Sequence, residues 1–153
     1  MKTRLLLGIA AAFILIQFFP APPAKTNPVT DPARTFPAVM KPSPEVDGIL
    51  RRACYDCHSN ETVWPWYSDV APVSWVIRNH VLDGRKHLNF SEWLKPGETS
   101  FTQWSDVEDM CKSVRERTMP IAGYDWTHGG AKLSGTDRQT VCRWTEAALA
   151  AAR

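Results

Sequence analysis

The 153-residue chain has little net charge, few cysteines and few histidines, and each scarcity narrows what it can be. With 18 Lys and Arg against 16 Asp and Glu, its formal charge is only +2. Over residues 41–153 the balance is 14 basic against 15 acidic, so nothing in the C-terminal part suggests nucleic acid. There is no internal repeat and no strand-like alternation of apolar and polar residues. The 4 cysteines contain one close pair, Cys54 and Cys57, while Cys111 and Cys142 stand alone. A four-cysteine zinc site would therefore lack its second close pair. A redox dithiol would need a βαβ setting, and none is visible. Long apolar runs are absent apart from one, Leu5 to Phe19.

What is present is the run Cys54-Tyr55-Asp56-Cys57-His58. A Cys-x-x-Cys-His segment is the attachment site for a c-type haem. The spacing follows from the chemistry. Two thiols must add to two vinyl groups on one edge of the porphyrin while an imidazole reaches the iron at its centre. On a helix, Cys54 and Cys57 lie at i and i+3, and Cys54 and His58 at i and i+4, so all three share a face. His58 is then the proximal ligand, its second ring nitrogen held by a carbonyl or similar acceptor. A disulfide between Cys54 and Cys57 would leave His58 unexplained.

The apolar run follows Lys2 and Arg4 and is broken by Pro20. Its length suits a signal-peptide core or a short membrane segment. Pro20, Pro22 and Pro23 crowd the small residues that a peptidase would need, which favours an uncleaved anchor in residues 1–20 over a soluble periplasmic form. Basic residues ahead of residues 5–19 place the rest of the chain outside the inner membrane. Residues 21–43 hold many of the 12 prolines and read as an extended tether. Residues 44–153 are enough for one small domain.

Four helices are predicted there. The first opens at Ser43 with Pro44 in its first turn, carries Val46, Ile49, Leu50 and Ala53 on one face, and runs into the Cys-x-x-Cys-His segment. The second follows Pro72 and repeats Val73, Val76, Ile77, His80 and Val81. The third starts at a Ser100-x-x-Gln103 capping box and continues through Trp104, Val107, Cys111 and Val114. The fourth starts at Ser134, with Asp137 three residues on, and shows Val141, Trp144 and Ala148. Trp64 to Ser68 and Asn89 to Gly97 read as loops.

Arg51 to Asn60, Trp64-Pro65-Trp66-Tyr67, Ala71 to Trp75 and Leu88 to Trp93 resemble the bacterial haem-binding domain family over nearly the whole chain. The resemblance implies an N-terminal anchor, a linker, one haem motif and an all-α, cytochrome-c-like domain around a single covalent haem c. It implies no particular pathway.

Met119-Pro120, beyond the third helix, is the best-placed source of a sixth iron ligand, Pro120 stiffening the loop that presents the thioether. The same pair resembles the distal segment of single-haem cytochromes c and a Met-Pro usual in the family. A methionine filling a gap in the core is the plainer reading. His128 is the rival ligand and His80 a weaker one, with a helical phase that suggests interior packing. Met40 and Met110 have only their type in favour.

Cys111 and Cys142 remain after the haem pair, and an exported domain seldom keeps two spare thiols. A disulfide closing a loop around Met119 and His128 is expected, two buried free cysteines being the other reading. Of the 7 tryptophans, Trp64 and Trp66, with Tyr67, are placed to cover a haem face or edge. Trp75, Trp104 and Trp144 fall in helix patterns, and Trp93 and Trp126 in loops. Arg78, Arg85 and Lys86 are candidate propionate partners, although solvated helix faces carry such charges routinely.

Two functions fit. The first is one-electron transfer at the periplasmic face of the inner membrane, with periplasmic or membrane redox proteins as partners. The second is a haem-based sensor or peroxidase-like enzyme whose distal position is open or displaceable. No independent catalytic signature is present, so a carrier is favoured over an enzyme.

Overall fold

The structure, a computed structural model, describes residues 2–19, 24–95 and 97–152. The Pro20–Pro23 stretch, where the apolar run was expected to break and the tether to begin, lies outside the described residues. Helices occupy Lys2–Ile16 (α1), Phe36–Met40 (α2), Pro44–Ala53 (α3), Tyr55–His58 (α4), Val73–His87 (α5), Trp104–Arg115 (α6), Tyr124–Thr127 (α7) and Gly135–Ala151 (α8). No strand occurs among the described residues, so the domain is all-α.

The four long helices expected beyond residue 43 are α3, α5, α6 and α8, and local chemistry explains where two of them begin. Ser43 Oγ accepts the Val46 amide at 3.3 Å, with Pro44 in the first turn. At α8, Ser134 Oγ accepts the Asp137 amide at 3.0 Å while the Asp137 carboxylate accepts the Ser134 amide at 2.7 Å. This is a reciprocal capping box. The box expected at Ser100 is not formed. Gln103 itself precedes the first turn of α6, and its amide donates to Glu98 Oε1 at 2.7 Å.

The core joins Val46, Ile49, Leu50 and Ala53 of α3 to Val107, Met110 and Val114 of α6 and Val141 of α8. Helices α6 and α8 lie side by side and are joined by a Cys111–Cys142 disulfide, their Cα atoms 4.6 Å apart. Thus Cys142, although adjacent to Val141, reaches α6. Both cysteines are buried.

An aromatic cluster belongs to the same core. Phe36 is fully buried, its ring 5.2 Å from Phe90, 4.8 Å from Trp93 and 5.2 Å from Trp144. Tyr55, inside the cysteine-histidine motif, stacks on Phe90 at 4.9 Å. Trp93 therefore belongs to the core although its segment reads as a loop. Phe36 lies within the stretch read as tether, so the core begins before Pro44. The preceding residues are also held. Lys25 pairs with Asp69 at 2.6 Å, the Asn27 amide donates to the Thr62 carbonyl at 2.9 Å, and Arg85 donates to the Thr26 carbonyl at 2.8 Å.

Helix α5 buries Ser74 and Val81, whereas Val73 and Val76 are 47% and 53% exposed and His80 is exposed. The interior stripe is thus rotated from the Val73–Val76–His80 row. The reason is close packing on α4, because a Cβ at Gly84 would meet the Cys57 carbonyl oxygen at 2.5 Å. Only glycine lets the two helices approach so closely.

Helix α1 buries none of its residues, and Gln17, just past its end, exchanges two hydrogen bonds with the Ala71 backbone, at 2.9 and 3.1 Å. Among the described residues no helix is long and apolar enough to cross a membrane. The 15 residues of α1 rise about 22 Å, short of a hydrocarbon core of about 30 Å.

Candidate functional site

Helix α3 ends at Ala53, and Cys54 breaks its regularity with φ −128° and ψ −36°. Helical bonding nonetheless carries on through the motif. The Cys54 amide donates to Leu50, and the Cys54 carbonyl accepts from His58 at 2.9 Å. Cys54, Cys57 and His58 all line a cavity of about 770 Å³, within the range of about 300–1,000 Å³ usual for ligand sites.

Across the sequence, Met119 and Pro120 line the same cavity. The amides of Thr118 and Met119 both donate to the Ser113 carbonyl, at 3.1 and 3.3 Å, ending α6 and starting the loop that bears the thioether. Leu50, Phe90, Met110, Val114, Ile121 and Val141 supply apolar walls.

The His58 ring is oriented by its surroundings. Its Nδ1 lies 3.1 Å from the Leu88 carbonyl oxygen. A carbonyl only accepts, so Nδ1 carries the proton and Nε2 keeps its lone pair. Burial lowers the His58 pKa, against the hydrogen bonds to Leu88 and Gly84, and favours this neutral form. Burial pushes the Cys54 thiol up to about 12 and Cys57 up to about 11, so both stay protonated at neutral pH. They are unpaired, half-buried thiols rather than a disulfide.

The other predicted site residues fall elsewhere. His128 is not in the cavity wall. It stacks on Tyr124 at 4.1 Å, with Nε2 3.9 Å from Asp56. His80 does line the cavity. Trp64, Trp66 and Tyr67 do not line it, and Trp66 is 79% exposed. Arg85 is spent on the Ser59 and Thr26 carbonyls and the Asn27 and Thr62 side chains, all within 3.0 Å. Arg78 binds the Ser68 carbonyl and Asp69, and Lys86 pairs with Asp83 at 3.6 Å. The cation on the cavity wall is Lys112.

Sequence reasoning passed over Leu88, Gly84 and Tyr124. Leu88 acts through its backbone, which no side-chain pattern records. Tyr124 lines the cavity and donates to Asp56 at 2.7 Å, across 68 residues of chain. The one local signal was an acidic residue inside the motif.

An imidazole with a free Nε2, two thiols and a thioether line one largely apolar cavity, a donor set into which a haem fits. The residues fit that group. The fold and the site define a small all-helical haem-binding module. The chain belongs to the haem-binding domain family, whose model matches residues 11–147. No curated protein and no solved structure matches it.

Proposed function

We propose that the domain carries one haem c, joined covalently to Cys54 and Cys57 with His58 and Met119 as axial iron ligands, and passes single electrons. The observation that carries this reading is that Cys54, Cys57, His58 and Met119, from two distant segments, line one cavity. When bound, haem supplies reversible one-electron exchange at iron. The chain's own residues do the rest. The Leu88 carbonyl fixes the His58 ring, the apolar residues of the lining would shield a bound haem, and the Met119 thioether would favour the reduced state and raise the potential relative to two imidazoles.

The proposed setting is the periplasmic face of the inner membrane, with periplasmic or membrane redox proteins as partners. Two features support it. The Cys111–Cys142 disulfide suits an oxidising compartment. Helix α1 is apolar beyond its basic first turn and buries none of its residues on the domain, which suits an export signal or anchor. Fractionation of the exported protein tests this, with washed membranes expected to retain the intact chain. Recovery of a shortened chain in the soluble periplasm would replace the anchor with a cleaved signal.

The test of the function is the optical spectrum of the full chain matured in an exporting, haem-attaching host. Low-spin ferric and ferrous spectra with a methionine-to-iron charge-transfer band are expected. A high-spin spectrum with ready carbon monoxide binding would instead support the sensor or peroxidase-like alternative.

A further inference from the structure

The Met119 loop is tied to the haem motif by one side chain. Tyr124, five residues after Met119, lines the same cavity and donates its hydroxyl to Asp56 Oδ2 at 2.7 Å. Asp56 is the residue before Cys57, and its other oxygen accepts the Val63 amide at 3.0 Å, so the carboxylate is held from both sides. The Tyr124 ring is stacked on His128, whose amide donates to the Tyr124 carbonyl at 3.2 Å. Gly123, at φ +84°, provides the left-handed turn from which Tyr124 enters α7.

From these contacts we infer that Tyr124 is a positioning residue for the distal ligand, its bond to Asp56 latching the Met119 loop against the helix that carries Cys57 and His58. The inference rests on the proposed His58 and Met119 ligation and adds the device that keeps Met119 in reach. At its start the loop is held by backbone bonds to Ser113, and the disulfide encloses it more distantly. Of these ties, the Tyr124–Asp56 bond alone runs from the segment that bears Met119 to α4, with the His128 Nε2 farther off at 3.9 Å from the same carboxylate. Loss of the hydroxyl should therefore release the thioether more often without removing it.

Exogenous imidazole, which competes with a methionine for iron, reads this release in the haem-loaded full chain. Tyr124→Phe keeps the ring on the cavity wall and removes one hydrogen bond, so imidazole affinity is expected to rise roughly fivefold. In an Asp56→Ala background the same substitution should add nothing, because the bond is already broken. Ser134→Ala, which removes the α8 cap and lowers stability by a comparable amount, should leave imidazole affinity unchanged. Wild-type imidazole affinity in Tyr124→Phe, or an equal increase in the Asp56→Ala background, would overturn the latch. A wild type lacking the methionine charge-transfer band would overturn the ligation and the latch with it.

Discussion

The cysteine-histidine motif reaches the cavity from helix packed on helix, whereas Met119 reaches it from a loop. Cys57 and His58 sit on α4 and Cys54 at its junction with α3, backed by α5 at Gly84 and by Tyr55 stacked on Phe90. Met119 sits between α6 and α7 and is held by two amides on Ser113, one tyrosine hydroxyl and a disulfide. The motif is backed by the core, while a few polar contacts and the disulfide hold the Met119 segment. On the proposed reading, attachment and ligand choice fall to parts held in different ways, and substitutions should separate them.

The largest effect belongs to the motif. Replacing both Cys54 and Cys57 by Ala should abolish haem staining after denaturing electrophoresis, since no other free cysteine lines the cavity. Staining retained in that variant would mean that attachment does not use the motif. Next is Phe36→Ala, which removes a fully buried ring that touches three aromatic partners. A loss of about 3–5 kcal/mol in denaturant unfolding is expected. A loss under about 1 kcal/mol, the usual size of a surface change, would return residue 36 to the tether.

Around the Met119 segment, the Cys111→Ser, Cys142→Ser pair should lower stability by about 3–4 kcal/mol, because the bridge closes a 31-residue separation. Covalent attachment of haem should survive it. Loss of attachment would show that the motif and the Met119 segment are not independent. Smaller still is Gly84→Ala, whose methyl would press on the Cys57 carbonyl. A cost of about 1–3 kcal/mol is expected, with a displaced His58 visible as a changed Soret maximum. An unchanged spectrum would show that α5 shifts without moving the ligand.

The same division governs how much of the protein can be read from its residues. The motif is legible because its residues are adjacent in sequence, although Cys54 stands at the break between α3 and α4 rather than on one continuous helical face, and Ser43 and Ser134 mark helix starts because capping is local. Met119 is legible by its proline neighbour and its position after α6. Phe36 is hidden because proline-rich composition suggests a tether, and its burial depends on Phe90, Trp93 and Trp144 arriving from far along the chain. The rotation of α5 is hidden for a similar reason, since Gly84 matters only once Cys57 is beside it. Arg85 looks like a free cation until Ser59, Thr62 and the residues near Asn27 surround it. Tyr124 and Asp56 are 68 residues apart, and no periodicity links them.

The central claim is that the iron in this cavity is held between His58 and Met119, and a paired redox and optical titration of wild type and Met119→Ala tests it most directly. The account predicts a low-spin wild type whose methionine charge-transfer band vanishes in Met119→Ala, together with a lower potential and carbon monoxide binding that wild type resists. Identical spectra and potentials in the two proteins would contradict it.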